Sequence, residues 1–101
     1  MGKVPRPPLR ELSEADLISS SYVGGLKYSA VEVNTKKGAS AVRYGLIKEG
    51  TTVDEHIRRV FEYYAKKGNL RVAAAEAAKV VPDIKWDMQR NFYELLDDSD
   101  Y

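Results

Sequence analysis

An α+β fold is what this sequence predicts: a β-hairpin packed on a three-helix C-terminal unit, with an extended N-terminal arm. Three observations predict it. After Gly50, apolar residues recur at three- and four-residue spacing behind clear capping signals. Between Leu26 and Ile47 the pattern changes to alternation around a turn-forming segment. Residues 1–8 hold three of the four prolines, which favours extended backbone. A chain of 101 residues is sized for one domain. The expected layout is a flexible basic proline-rich arm over 1–12, a small domain over 13–97, and an acidic tail over 98–101.

In chain order, the arm carries Lys3, Arg6 and Arg10, and Pro5 and Pro8 have PxxP spacing, which some aromatic grooves bind. Ser13, followed by Glu14, Ala15 and Asp16, reads as a helix start. The short helix to about Ser20 should turn Leu17 and Ile18 inward, and Gly24–Gly25 breaks it. Lys27–Asn34 is rich in β-branched residues, and Ala41–Ile47 puts Val42, Tyr44 and Leu46 on one face. Asn34-Thr35-Lys36-Lys37-Gly38 between them is turn chemistry, so an antiparallel hairpin with a basic tip is expected.

Thr52 and Glu55 form a capping-box pattern, and Val53, Ile57, Val60, Phe61 and Tyr64 make the stripe of the first long helix. Lys66, Lys67 and Gly68 end it. Asn69 caps an alanine-rich second helix, which Pro82 is expected to stop. Asp83 is expected to cap a third, with Ile84, Met88, Phe92, Leu95 and Leu96 inward and Trp86, Arg90 and Tyr93 outward. An outward tryptophan and tyrosine call for a covering surface, either within the chain or on a partner.

Composition narrows the function classes. With no cysteine there is neither a disulfide nor a thiolate site. No apolar run approaches the ~20 residues of a membrane span, and the first residues lack the apolar segment of a secretory signal. A soluble intracellular protein, cytoplasmic or beside nucleic acid, is expected. The net charge is +1, but residues 94–101 hold four acids and no base. Sixteen basic residues against the remaining eleven acids leave +5 on residues 1–93, a balance that suits an anionic partner.

No catalytic constellation appears. His56 is the single histidine and is expected on a partly exposed helix surface. With no second histidine and no cysteine, it points to no metal and no nucleophile. Asp97, Asp98 and Asp100 lack the framework of a calcium loop, and Gly24–Gly25 lacks the ending of a phosphate loop. No cofactor is implied, and the expectation is a protein that is not an enzyme.

The segment Gly68-Asn69-Leu70-Arg71-Val72-Ala73-Ala74-Ala75-Glu76-Ala77-Ala78, with the helix after it, resembles the helix-turn-helix of phage small-terminase subunits and related DNA-binding proteins. The likeness covers roughly residues 53–93. It implies a small viral or regulatory nucleic-acid-binding protein, dimeric if it reads a site. Lys85, Gln89 and Arg90 would then face the groove, with Lys36 and Lys37 on phosphate. The alternative is a protein-interaction module presenting Trp86, Arg90 and Tyr93, residue types that anchor interfaces.

Overall fold

Residues 11–20 and 22–97 are described by the computed structural model. The order is α1 (Glu14–Ser19), a 3₁₀ turn (Val23–Gly25), β1 (Lys27–Ser29), α2 (Gly38–Gly45), α3 (Val53–Ala65), α4 (Leu70–Ala77), α5 (Val80–Gln89) and β2 (Glu94–Leu96). The fold class is α+β. The proline-rich arm through Arg10, with Lys3, Arg6 and the Pro5–Pro8 spacing, lies outside the described residues, as do residues 98–101.

The helix starts obey their caps. Ser13 Oγ accepts from Asp16 N at 3.1 Å, Thr52 Oγ1 from Glu55 N at 3.1 Å and Asn69 Oδ1 from Val72 N at 3.0 Å. Each bond satisfies an amide that the first helical turn leaves without a backbone partner, and losing one costs ~1 kcal/mol. Gly68 ends the turn after α3 with φ 82°, in the left-handed region. Val53 and Val60 of α3 are fully buried, at roughly 2 kcal/mol of transfer free energy each. Leu17 of α1 is buried, but Ile18 is 61 % exposed, because six helical residues give only one narrow inward stripe.

The hairpin expected between Lys27–Asn34 and Ala41–Ile47 is replaced by a different pairing. β1 is three residues long, and its antiparallel partner is β2, with Lys27 opposite Leu96, Tyr28 opposite Leu95 and Ser29 opposite Glu94. Ala30, at φ 52°, turns the chain out of the sheet after Ser29. On its other side β1 meets the approach to α3, where Tyr28 N donates to Thr51 O and Val53 N to Leu26 O. Residues 38–45 form α2. Their alternation of Val42 and Tyr44 is overridden by a helical grouping that buries Arg43 and Tyr44 side by side.

The third helix also differs. α5 begins at Val80, so Pro82 sits in its first turn, where no intrahelical N–H is required, and does not stop α4. Asp83 is therefore inside the helix and not its cap. The helix ends at Gln89. Asn91 takes φ 56°, and Phe92 N donates to Asp87 O at 3.0 Å, which reverses the chain. Phe92, Leu95 and Leu96 thus follow the helix. Tyr93, expected outward, is 3 % exposed in the core against Tyr28, with ring centroids 5.0 Å apart.

Candidate functional site

Two ionic groups are built beneath the outer face of α5. In the first, Arg43 of α2 donates through Nε to Asp83 Oδ2 at 2.7 Å and through NH2 to Oδ1 at 3.1 Å, a two-pronged grip on one carboxylate. Its NH1 reaches Glu76 Oε1 of α4 at 2.8 Å. One guanidinium therefore ties three helices. The hydrogen bond from Arg43 to Asp83 raises the Arg43 pKa, and the bond from Lys79, then that from Arg43, lowers the Glu76 pKa.

In the second, Lys36 Nζ lies 2.5 Å from Asp87 Oδ1, and Tyr93 OH donates to Asp87 Oδ2 at 2.8 Å. Burial raises the Asp87 pKa, while Lys36 and Tyr93 pull it down. Lys36 also sits 5.3 Å from the centre of the Tyr44 ring. Its side chain is 8 % exposed, so the lysine expected at a basic hairpin tip instead anchors the 30–37 loop to α5.

Above this layer is a cleft of about 510 Å³. α5 supplies Pro82, Asp83 and Trp86, and Arg90 follows at its C-cap. The loop supplies Thr35, Lys36 and Lys37, α2 supplies Ser40, α1 supplies Glu14, and Phe92 completes the lining. Trp86 is 54 % exposed. The Arg90 guanidinium carbon lies 3.0 Å from the centre of its ring, and Arg90 NH1 donates back to Trp86 O at 3.3 Å. This cation–π arrangement holds two flat groups together on an open surface.

Of the residues singled out in the sequence, the structure thus brings Lys36, Lys37, Trp86 and Arg90 to one cleft. Lys37 is exposed on its rim. Gln89 is exposed beside Arg90 on α5. Lys85 is half-buried and donates to Leu12 O at 2.6 Å, which ties α5 to the segment before α1. Tyr93 is removed from the outer face altogether.

Sequence reasoning did not find Glu14, Thr35, Ser40 or Phe92 at the cleft, since none belongs to a local pattern that includes α5. It also did not expect Glu76 and Asp87 to be buried, although a signal existed. Glu76 follows Ala73 by three positions, and Asp87 lies between Ile84 and Met88, so each is an acid on an apolar stripe. Such an acid requires a buried cation.

His56 is a correction as well. It is 2 % exposed, edge-on to Tyr28 with ring centroids 5.4 Å apart, and Nδ1 has no hydrogen-bond partner. The helix surface expected for it is covered by β1. Burial pushes its pKa from 6.5 down to about 4, with the nearby Arg59 charge acting in the same direction. It is a neutral core residue far more than a chemical one.

A second recess of about 380 Å³ lies beside α3, lined by Leu46, Arg59, Glu62, Tyr63, Lys66 and Lys67. There Lys67 Nζ folds back to donate to Tyr63 OH at 3.0 Å. Among the described residues no group of three or more His, Cys, Asp or Glu side chains is arranged to hold a metal ion, and no helix is long and apolar enough to cross a membrane. No protein-family model, no curated protein and no solved structure matches the chain.

Proposed function

We propose that this is a small, non-enzymatic nucleic-acid-binding protein of regulatory type, contacting its ligand through the outer face of α5 and the cleft beside it. The observation that carries the reading is the stacked Trp86–Arg90 pair facing Lys37 across an open cleft. A flat indole and guanidinium suit a base, and exposed cations suit phosphate. The excess of basic residues over 1–93 works in the same direction. Lys36, by contrast, serves by fixing the loop that displays Lys37, and the helix-turn-helix resemblance enters only through Gln89 and Arg90 on α5.

Trp86 is the single tryptophan, so its fluorescence reports on the cleft alone. The test is a titration with mixed-sequence DNA, as a duplex and as separated strands, at low and high salt. Quenching of Trp86 that weakens with salt is expected. No response to either form at low salt would overturn the reading.

The exposed Trp86, with Pro82 and Phe92 lining the same cleft, favours a second reading: a protein-interaction module presenting Trp86 and Arg90. It predicts silence in the DNA titration and a Trp86-dependent association with a protein from the native host.

A further inference from the structure

The shape around α5 bears on which form of nucleic acid is bound. We propose that the cleft takes an unpaired nucleotide from a single strand, with its base stacked on the Trp86–Arg90 pair and its phosphate at Lys37. The proposal rests on the nucleic-acid reading above and narrows it.

The first argument is steric. A helix with side chains is ~10–12 Å across, and the major groove of B-DNA is ~12 Å wide, so a groove-reading helix must project alone. α5 does not project. On one flank Lys85 is bonded to Leu12 O, and Glu14 of α1 stands at the cleft wall. On the other, the 35–37 loop is held down by Lys36 on Asp87. The exposed strip of α5 is therefore the floor of a recess. A helix flanked on both sides does not enter a duplex groove, whereas a base that has left its stack can reach the exposed strip.

The second argument is chemical. The cleft, at about 510 Å³, falls within the ~300–1,000 Å³ range of small-ligand sites. With the guanidinium carbon 3.0 Å from the indole centre, the pair offers a delocalised surface that any base can cover, as in sequence-tolerant single-strand binding. Charge then sets the orientation. Arg43 occupies Asp83 and Lys36 occupies Asp87, so their carboxylates are neutralised from within. Of the remaining lining charges, Arg90 lies against the Trp86 ring, Lys37 attracts phosphate on the loop side and Glu14 repels it on the α1 side. The sugar-phosphate chain is thereby placed along the loop, next to the hydroxyls of Thr35 and Ser40.

The experiment measures fluorescence anisotropy of one labelled oligonucleotide, free and annealed to its complement, with the wild-type protein and with Trp86→Ala and Lys37→Ala. The expected result is tighter binding of the free strand by tenfold or more, and a loss of about tenfold in Trp86→Ala. Each exposed cation should contribute ~0.7 to the slope of log affinity against log salt for a single strand, so Lys37→Ala should flatten the slope by that amount. Trp86 is half exposed, so its replacement leaves the fold intact, which circular dichroism verifies. Equal or tighter binding of the duplex would overturn the single-strand proposal and leave the nucleic-acid reading standing. Free-strand binding that Trp86→Ala does not change would likewise overturn the cleft as its site. Binding of neither form would remove both readings together.

Discussion

The two faces of α5 use the same residue types to opposite ends. On the inner side, Asp87 holds Lys36, Asp83 holds Arg43, and these charges fasten the helix to the 30–37 loop and to α2. On the outer side, Arg90 and Lys37 pair with no carboxylate among the described residues, and Trp86 stands half exposed between them. Lys36 and Lys37 are neighbours in the chain, yet only the first is buried. The difference teaches that position relative to a buried acid, and not basic character, separates a cation that holds the fold from one available to a ligand. Removing one partner of a buried pair leaves a desolvated charge, whereas removing an exposed cation leaves only water to rearrange.

That contrast can be broken or sharpened by measurement. The largest effect is expected from Arg43→Ala, which strips Asp83 of both its bonds and leaves Glu76 with Lys79 alone; urea denaturation should show a loss of about 4 kcal/mol. Arg43→Lys should recover only part of it, because an ammonium cannot grip Asp83 with two prongs. If Arg43→Ala proved neutral, the inner layer would not be structural.

Next is pH. The unfolded chain protonates His56 near 6.5, but the folded chain does so only near 4. Between these values the unfolded state binds more protons at His56, so the His56 contribution is full above pH 6.5, falls as pH drops through the window, and levels off below it. The change is on the order of 3 kcal/mol. His56→Leu should flatten that part of a plot of urea midpoint against pH.

A smaller loss is expected from Lys36→Ala, about 2 kcal/mol, since Asp87 keeps its bond from Tyr93. Lys37→Ala should change stability by less than about 0.5 kcal/mol. Comparable losses at the two lysines would erase the distinction drawn between them. The smallest effects on stability should come from Trp86→Ala and Arg90→Ala, again within about 0.5 kcal/mol, while both weaken oligonucleotide binding.

Local chemistry was legible in the sequence. The caps at Ser13, Thr52 and Asn69, the stripe of α3 and the turn at Gly68 each depend on residues within a few positions of one another. Pro82 was misread because a proline that ends one helix and a proline inside the first turn of the next look alike when the start of the second is unmarked. Lys79 offers no side-chain cap to mark it. Residues 38–45 were misread because two β-branched or aromatic residues at alternate positions outweighed Ala39 and Ala41, and because the partners of Arg43 lie 33 and 40 residues away. The cleft was half legible. Trp86 and Arg90 announced themselves by their spacing on one helix, but their juxtaposition with Lys37 depends on a loop whose placement is set by Asp87.

The pairing of Lys27–Ser29 with Glu94–Leu96 also governs the order in which the molecule can be made. During synthesis the first of these strands leaves the ribosome long before the second exists, so it waits with one edge unsatisfied while the helices between them assemble. The sheet, together with the burial of Tyr93 against Tyr28, closes only when translation has passed Leu96. A polypeptide interrupted before Tyr93 would lack that core ring and the partner of this strand edge, a state that chaperones and proteases are equipped to find.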